Sequence, residues 1–189
     1  MKAKTVKKLL LLNKAFYSQF ATPFADSRSN PQPGFELLAE HVPAETAKVL
    51  DIGCGNGRFG NYLQEICSSF HYTGIDFSSE LLLIARQHLM GTFLERDISQ
   101  PGYLSGLGRF DLIVCLAVIQ HVPGHVNRIN MLREMKTHLA EHGRIFLANW
   151  QFLSSPRQRR KIRDWEEVGI RKREVEPGDY LMSWQRSGT

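Results

Sequence analysis

The sequence predicts an α/β fold, in which helices cover both faces of a doubly wound, mostly parallel β-sheet. Between residues 48 and 150, short segments of apolar residues alternate with longer segments of helical periodicity. A run of alternating glycines follows the first of these short segments, where a strand would turn into a helix. The 189 residues are enough for one domain with a buried core.

The segment before the sheet is predicted to form a cap. Apolar side chains recur at helical spacing over residues 6–20, which predicts an amphipathic helix. Residues 22–34 hold three prolines among several polar residues, so we expect a loop that cannot continue this helix. A short helix over residues 35–42 should end before Pro43.

The region that follows is predicted to alternate between strands and helices. Parallel sheets bind ligands beyond the carboxyl ends of their strands, close to the point where the strand order reverses. The turn after Ile52 is therefore the expected binding site. After residue 150 the pattern weakens, and we expect a basic helix over 154–168 and an extended segment over 180–184. Predicted strands cover residues 48–52, 71–75, 92–96, 110–117 and 144–150, and predicted helices cover residues 57–68, 78–90 and 126–140.

Composition and charge exclude some classes of protein and leave others open. The chain carries 24 Lys and Arg residues against 19 Asp and Glu, which is compatible with an anionic partner but does not identify one. The basic first eight residues lead into only four leucines, too few for a signal peptide, and no segment approaches the length of a membrane span. We therefore expect a cytoplasmic protein. The three cysteines show no CxxC spacing, which favours buried free thiols over a disulfide or a zinc site.

The glycine turn allows two interpretations. Gly53, Gly55 and Gly57 alternate at the end of the first strand, where glycines permit positive φ angles and leave room for a ligand against the backbone. Together with Gly60, the last two also spell the G-x-G-x-x-G fingerprint of dinucleotide-binding sites. Asp76 ends the second strand, where an acid that binds a ribose is expected. A nicotinamide dinucleotide is therefore one candidate ligand.

Two further acids favour a different ligand. Asp51 lies directly before the glycines, where it would repel a pyrophosphate but attract an ammonium or sulfonium group. Asp97 ends the third strand and is placed to accept a hydrogen bond from an exocyclic amine such as that of adenine. With Asp76, these acids put three carboxylates on adjacent strand ends, which suits a cationic nucleoside without phosphate. The sequence therefore favours S-adenosylmethionine as cofactor and S-adenosylhomocysteine as product.

Four motifs resemble those of the class I S-adenosylmethionine-dependent methyltransferases, whose fold is Rossmann-like. They are VLDIGCGNGRF at 49–59, GIDFS at 74–78, ERDI at 95–98 and FDLIVCLAVIQHV at 110–122. The resemblance implies that the methionine end of the cofactor lies at the glycine turn, and that its adenine lies near the second and third strands. The cofactor-binding residues implied in this way are Asp51, Gly53, Cys54, Gly55, Gly57, Asp76, Phe77, Asp97, Ile98, Leu116 and Ala117.

A narrower resemblance extends beyond these motifs, to the tRNA wobble-uridine carboxymethyl methyltransferases. It rests on segments that flank the core, namely FYSQF at 16–20, ANWQ at 148–151 and GDYLMSW at 178–184. It implies that Phe20 and Arg28 lie over the cofactor and that Trp184 contacts the substrate. It also implies a modified uridine of tRNA as the methyl acceptor, and a small activator protein as a partner.

The chain departs from this narrower family in three places. Ser183 stands where proline is usual, and Gln120-His121 stands where paired histidines are common. The family's chain also continues with two more strands and a helix, whereas this chain stops at Thr189. We therefore expect a sheet that is incomplete at its C-terminal edge, with exposed backbone donors and acceptors along the fifth strand.

Residues on the acceptor side carry weaker signals. Arg157, Arg159 and Arg160 belong to a basic run that is either a solvated helix face or a surface that contacts phosphates. His121 follows the fourth strand, and it is either a packed residue or a group that orients the acceptor or removes its proton. A carboxylate acceptor is ionised at neutral pH and would need no base. No histidine pair is joined by a further ligand, so we expect no metal site.

These inferences divide the chain into three parts: a cap over residues 1–45, a cofactor-binding core over 46–152, and a basic helix with a substrate-side loop over 153–189. Three functions stay open. The chain is a methyltransferase of tRNA, a methyltransferase of a small molecule, or a non-catalytic subunit that binds the cofactor or a partner. A nicotinamide-dependent enzyme is a fourth alternative, disfavoured by Asp51. The sequence does not indicate an oligomeric state.

Overall fold

A five-stranded sheet in which every neighbouring pair of strands is parallel organises the chain, as predicted. The computed structural model describes residues 1–27, 30–43 and 47–183. The strands of the sheet are β1 (Ala47–Ile52), β2 (Phe70–Asp76), β3 (Thr92–Glu95), β4 (Phe110–Leu116) and β5 (Leu139–Ala148). Their spatial order is β3-β2-β1-β4-β5.

Helices flank this sheet, and a small second sheet follows it. None of the helices in the described part of the chain is long and apolar enough to cross a membrane. The second sheet is antiparallel and pairs β6 (Ile162–Arg163) with β7 (Leu181–Met182). The helices are α1 (Ala3–Asp26), α2 (Phe35–Ala39), α3 (Arg58–Ile66), α4 (Ser79–His88), α5 (His125–Thr137) and α6 (Pro156–Arg159).

The side chains of β1 divide the core between the two faces of the sheet. Val49 packs on one face in a cluster with Leu63 of α3 and residues of α4. Leu50, the next residue, packs on the other face in a cluster with Met131 and Met135 of α5. Successive strand residues point to opposite faces, so a strand that is apolar at consecutive positions is buried on both. This confirms the predicted layering of helices on both faces.

Helix α1 differs from the prediction because it does not end before Pro23. Its φ and ψ angles at Phe20 (−118° and 19°) are not helical, so the helix is kinked at that residue. Pro23 then lies in the first turn after the kink, where a residue without an N–H group leaves no helical hydrogen bond unmade. The loop predicted over residues 22–34 is therefore wrong for its first part, which continues the helix to Asp26.

The basic helix predicted over residues 154–168 is also wrong. Helix α6 covers only Pro156–Arg159, because the residues after it form β6 and pair with β7. A capping box of Asp164 and Glu167 then starts a separate 3-10 helix. The extended segment predicted over 180–184 is present as β7 in its described part.

Strand β5 begins earlier than predicted. Leu139 already pairs with Phe110, and the register shifts between Phe110 and Leu112, so the predicted helix over 126–140 ends at Thr137 instead. Among the residues that the structure describes, β4 is the only strand paired with β5. Among the described residues, β5 therefore forms one edge of the sheet.

The strand order reverses between β1 and β4. From β1 the chain moves outward to β2 and β3 on one side, and then returns to continue with β4 and β5 on the other. A crevice opens at the carboxyl ends of the strands at such a point. Helix α1 packs against α4 on this side of the molecule and lies across the crevice.

Candidate active site

A cavity of about 1040 Å³ opens at the carboxyl ends of the central strands and is lined on its far side by α1. It brings together most of the residues that the sequence indicated for the cofactor. Gly57 is not among its lining residues, because it is the N-cap of α3. The indicated residues that line the cavity are Asp51, Gly53, Cys54, Gly55, Asp76, Phe77, Asp97, Ile98, Leu116, Ala117 and His121.

The glycine turn presents bare backbone to the cavity. The φ angles of Gly53 and Gly55 are +70° and +55°, and the N–H of Gly53 donates to the carbonyl of Ile75 at 2.8 Å. A Cβ at Gly53 would lie 2.4 Å from Cγ2 of Val118, so no other residue fits there without a shift. A Cβ at Gly55 would meet only Leu81, at 3.9 Å. Glycine at position 55 therefore leaves the cavity side of the turn open, whereas the packing of neighbouring side chains does not require it.

Asp51 is a buried carboxylate that lines the cavity, with an exposed fraction of 3%. Its Oδ2 accepts a hydrogen bond of 2.7 Å from the hydroxyl of Tyr72. Burial raises the pKa of Asp51 to about 7; the hydrogen bond from Tyr72 opposes this shift, and the charge of Asp76 adds to it. No Lys or Arg in the described part of the chain forms an ion pair with Asp51. A positively charged ligand would supply the missing counter-charge.

Asp76 both orders the glycine turn and faces the cavity. Its Oδ2 accepts a hydrogen bond from the N–H of Gly55, and its Oδ1 accepts one from the N–H of Ser78, each at 2.9 Å. Burial raises the pKa of Asp76, although these backbone N–H groups oppose the shift. A carboxylate oxygen has more than one acceptor site. Asp76 can therefore accept hydrogen bonds from ligand hydroxyl groups without a change in the turn.

Asp97 ties the cavity to the cap helix. Its Oδ2 lies 2.8 Å from Nζ of Lys14 on α1, and its Oδ1 accepts hydrogen bonds from the N–H and the hydroxyl of Ser99 at 3.0 and 2.6 Å. Partial burial raises the pKa of Asp97, but Lys14 and Ser99 outweigh burial and hold the pKa below its usual value. Asp97 is therefore an ionised acceptor. No sequence pattern indicated Lys14, because Lys14 and its partner Asp97 are far apart in the chain.

Ala117 adopts a backbone conformation that is uncommon for a residue with a Cβ. Its φ is +58°. Its N–H donates to the carbonyl of Ala148 at 2.7 Å, which joins the end of β4 to the end of β5. Such outliers cluster at active sites, where the surrounding structure holds them in place. Ala117 and Leu116 both line the cavity at the end of β4, and the small side chain of Ala117 leaves room there.

His121 belongs to a hydrogen-bonded group that joins the loop after β4 to α1. Its Nε2 and the hydroxyl of Tyr17 share a hydrogen bond of 3.2 Å, and the two rings meet edge to face. The side-chain amide of Asn13 donates to the carbonyl of His121 at 3.0 Å. Tyr17 also packs edge to face against Phe77. His121 therefore lies in the cavity and shares a hydrogen bond with a tyrosine of the cap helix.

Aromatic side chains line the part of the cavity that follows β5. We call this part the acceptor chamber and define it by Trp150, Phe152, Trp165 and Tyr180. The rings of Phe152 and Tyr180 meet edge to face, with centroids 5.4 Å apart. The sheet order places the end of β5 at one side of the crevice and the end of β3, with Asp97, at the other. The chamber and Asp97 are therefore at opposite ends of the cavity.

Two cations line the cavity near the acceptor chamber. Arg128 is engaged by acids of the C-terminal segment, because its Nη2 lies 2.8 Å from Oε2 of Glu176 and its Nη1 lies 4.0 Å from Oδ1 of Asp179. Lys161 forms no ion pair with any carboxylate in the described residues. Its charge is therefore available to a ligand, while that of Arg128 is balanced within the protein.

Some residues that the sequence indicated lie elsewhere. Phe20 does not line the cavity, since its ring packs against Phe16 with centroids 5.4 Å apart. The helix is kinked at this residue, and the placement of Phe20 over the cofactor stays a prediction. Arg28 and Trp184, predicted to bind the cofactor and the substrate, lie outside the described residues.

The arginines of the basic run are exposed and do not line the cavity. They are Arg157, Arg159 and Arg160. Gln158 and Lys161, from the same segment, line it instead. These two residues are three apart and share one face of the short helix and its end, whereas the arginines take the other positions. Lys161 lies in the turn that follows α6, so a helical pattern carried no signal for it.

Comparisons with known proteins bear on the family. A family model described as a methyltransferase domain matches residues 19–180. A ubiquinone biosynthesis O-methyltransferase of Glaesserella parasuis is 32% identical over 109 residues, which cover 53% of this chain and 44% of the relative. A tRNA (carboxymethyluridine(34)-5-O)-methyltransferase of Schizosaccharomyces pombe is 27% identical over 168 residues, which cover 89% of this chain and 65% of the relative. The chain thus spans less than two thirds of the length of either relative.

Solved structures share the fold. The plantazolicin methyltransferase BpumL, in complex with a pentazolic desmethylPZN analogue and S-adenosylhomocysteine, aligns with a TM-score of 0.63 at 21% identity. The alignment covers 88% of this chain and 69% of that one. An S-adenosylmethionine-bound amino pentose methyltransferase from Micromonospora echinaspora aligns with a TM-score of 0.57 at 22% identity, over 70% of this chain and 57% of that one.

Proposed function

The chain belongs to the methyltransferase domain family, and from this premise we propose that it methylates a carboxymethyl group on a uridine of tRNA, with S-adenosylmethionine as methyl donor. The observation that favours tRNA is the extent of the alignment. The tRNA methyltransferase of S. pombe aligns with 89% of the chain, so the aligned region includes segments of the acceptor chamber. The ubiquinone-type relative aligns with only 53%.

The cavity has the charge and shape that the cofactor needs. Asp51 would accept the amino group of its methionine end, and the bare backbone of Gly55 would lie against that part of the molecule. Asp76 would accept the ribose hydroxyls, and Asp97 the exocyclic amine of adenine. Asp51 favours a cation without phosphate, because it would repel a pyrophosphate at the glycine turn. The family match also decides against the nicotinamide dinucleotide that the glycine pattern alone allowed.

The protein contributes alignment and shielding to the transfer. When bound, S-adenosylmethionine supplies a methyl group on a sulfonium, which a nucleophile attacks in line as the carbon–sulfur bond breaks. Ala117 and Leu116 would border the position of that methyl group. Helix α1 would exclude water from above, held by the ion pair of Lys14 with Asp97. Holding two reactants in line accounts for a large part of the rate of such reactions.

A carboxylate acceptor needs a cation rather than a base. It is already ionised at neutral pH, and the acids of the cofactor site would repel it. We assign Lys161 to this role, because it lines the cavity without an acidic partner in the described residues. The exposed Arg157, Arg159 and Arg160 would contact phosphates of the tRNA outside the cavity. The small activator protein expected from the sequence resemblance stays a prediction.

A second candidate function is the methylation of a hydroxyl group on a small aromatic molecule. The pair of His121 and Tyr17 favours it, since a hydroxyl acceptor of high pKa needs a base within hydrogen-bond reach. The aromatic side chains of the acceptor chamber would also suit a planar ring. This candidate predicts activity that is insensitive to salt and independent of RNA.

One assay separates the two candidates. Total tRNA is treated with mild alkali, which hydrolyses existing methyl esters to carboxylates, and is then incubated with the protein and methyl-labelled S-adenosylmethionine. Our proposal expects label in tRNA that a second alkali treatment releases as methanol, because an ester is labile and an ether or N-methyl group is not. Label on a catechol but not on tRNA would support the second candidate instead.

Variants of the basic segment sharpen the assay. Lys161→Gln should raise the KM for alkali-treated tRNA, while Arg163→Gln, an exposed neighbour outside the cavity lining, serves as the matched control. Replacing Arg157, Arg159 and Arg160 by Gln should weaken binding of all tRNAs and lower its salt dependence. Equal KM values for the two single variants would contradict the role of Lys161.

A further inference from the structure

Tyr72 occupies a recess that is lined by glycines. A Cβ at Gly60 of α3 would lie 2.7 Å from Cε2 of the Tyr72 ring, and a Cβ at Gly74 would lie 3.0 Å from its Cε1. A Cβ at Gly91 would lie 2.9 Å from the carbonyl oxygen of Tyr72. The ring is buried, with an exposed fraction of 3%. Glycines at positions 60 and 74 therefore leave room for the ring, which packs against Phe93 with centroids 5.7 Å apart.

The recess alone does not account for tyrosine, since phenylalanine would fill the same space. The register of the sheet pairs Tyr72 with Val49, so Asp51 lies two residues further along β1 on the same face. The Tyr72 hydroxyl donates to Oδ2 of Asp51 at 2.7 Å, which is its one hydrogen bond to the described residues. The hydroxyl of Tyr72 is therefore directed at the carboxylate that lines the cavity.

We infer that Tyr72 is a positioning residue: its hydroxyl holds the Asp51 carboxylate in the orientation and ionised form that accept the amino group of S-adenosylmethionine. This inference rests on the proposed use of that cofactor. An unsupported carboxylate could rotate about its χ angles, and a buried one is more stable when protonated. A protonated Asp51 would neither attract an ammonium group nor accept all of its hydrogen bonds.

The surroundings of Asp51 make this support necessary. Burial is the largest influence on its pKa and raises it, and the charge of Asp76 acts in the same direction. The hydrogen bond from Tyr72 is the largest influence that lowers the pKa, and the charge of Arg58 follows. The titratable groups that face Asp51 from the packed elements are Tyr72 and Asp76 on β2, Cys54 in the glycine turn, Arg58 on α3 and Cys115 on β4.

The test compares the Kd of S-adenosylmethionine for the wild type and for Tyr72→Phe by titration calorimetry between pH 6.0 and 8.5. Losing a hydrogen bond to a charged acceptor should raise the pKa of Asp51 by about one unit. The ligand's own titration is the same for both proteins and cancels in the ratio of their Kd values. We expect this ratio to rise about sevenfold from pH 8.5 to pH 6.0, because the variant must lose more protons to bind.

Two controls separate positioning from packing. Tyr103→Phe removes another buried hydroxyl, which donates to the carbonyl of Met131 at 3.2 Å, and its ratio to the wild type should not depend on pH. In an Asp51→Asn background, Tyr72→Phe should show no pH-dependent effect. A ratio for Tyr72→Phe that is constant with pH would overturn the inference while leaving the proposed function intact. Failure of the wild type to bind S-adenosylmethionine would overturn the proposed function itself.

Discussion

We expect Asp51 to make cofactor binding depend on pH and to lower the free energy of unfolding of the cofactor-free protein. Its pKa is raised to about 7 by burial, and a cationic ligand binds its ionised form. Affinity should therefore fall tenfold per pH unit below the pKa, so that binding at pH 5.5 is about 30-fold weaker than at pH 8. Asp51→Asn should bind weakly at every pH and show none of this dependence.

As the pH rises, the ionisation of Asp51 strengthens cofactor binding but lowers the free energy of unfolding of the cofactor-free protein. The pKa of Asp51 is 3.8 in the unfolded chain and about 7 in the fold, so the folded state holds a proton that the unfolded state releases. Its contribution to stability is full below pH 4 and is lost as the pH rises to 7, by up to about 4 kcal/mol. Asp51→Asn removes this loss, so at pH 8 it should raise the free energy of unfolding while it weakens binding.

The assay pairs urea unfolding without cofactor and calorimetric binding, each measured from pH 5.5 to pH 8. Asp111→Asn is the matched control, because Asp111 lies at the opposite end of the sheet and accepts a hydrogen bond from the N–H of Lys48. It should leave the pH dependence of binding unchanged. An Asp51→Asn variant that keeps the pH dependence of affinity, or that is less stable than the wild type at pH 8, would refute the reasoning.

Three further changes test the geometry of the site. Gly53→Ala should lower the free energy of unfolding in urea by about 1–3 kcal/mol, because the φ of Gly53 is +70° and a Cβ there would meet Val118. Adding Val118→Ala should restore only the part of this loss that comes from the clash with Val118. Asp97→Ala should weaken cofactor binding in calorimetry about tenfold, because the acceptor for the adenine amine is lost. Lys14→Met should weaken binding less, because Lys14 is half exposed. The reverse ranking of the two variants would count against the assignment of Asp97 to adenine. Ala117→Val should lower kcat more than it changes the Kd of the cofactor, because the larger side chain would lie beside the proposed position of the transferred methyl group. Equal effects on kcat and Kd would contradict that placement.

Much of the cofactor half of the site could be predicted from the sequence. Strand periodicity is local, and the carboxyl ends of neighbouring parallel strands meet at one edge of a sheet. The positions of Asp51, Asp76 and Asp97 on three strand ends therefore imply that they share a crevice, and all three line the cavity. The glycine pattern is local in the same way, since its positive φ angles belong to the turn itself.

The cap and the acceptor side could not be predicted in this way. The rule that a proline ends a helix placed the end of α1 too early, because the helix kinks at Phe20 and Pro23 lies in the first turn after the kink. The segment around Ile162 forms a strand only because Leu181 and Met182 offer it a partner. The contact between Tyr72 and Asp51 follows from the register of β1 and β2, which local patterns leave undetermined.

The residues proposed to bind the cofactor and those proposed to bind the acceptor lie on different parts of the fold. The acids that suit a cationic cofactor stand on rigid strand ends, whereas Lys161 and the rings of the acceptor chamber stand on the C-terminal segment after β5. Glu176 holds that segment to the core, since its carboxylate accepts hydrogen bonds from the N–H of His125 at the start of α5 and pairs with Arg128. Removing Glu176 should therefore loosen the acceptor chamber while the acids on the strand ends keep their places. Under the proposed roles, substitutions in this segment would change acceptor choice and leave cofactor binding unchanged.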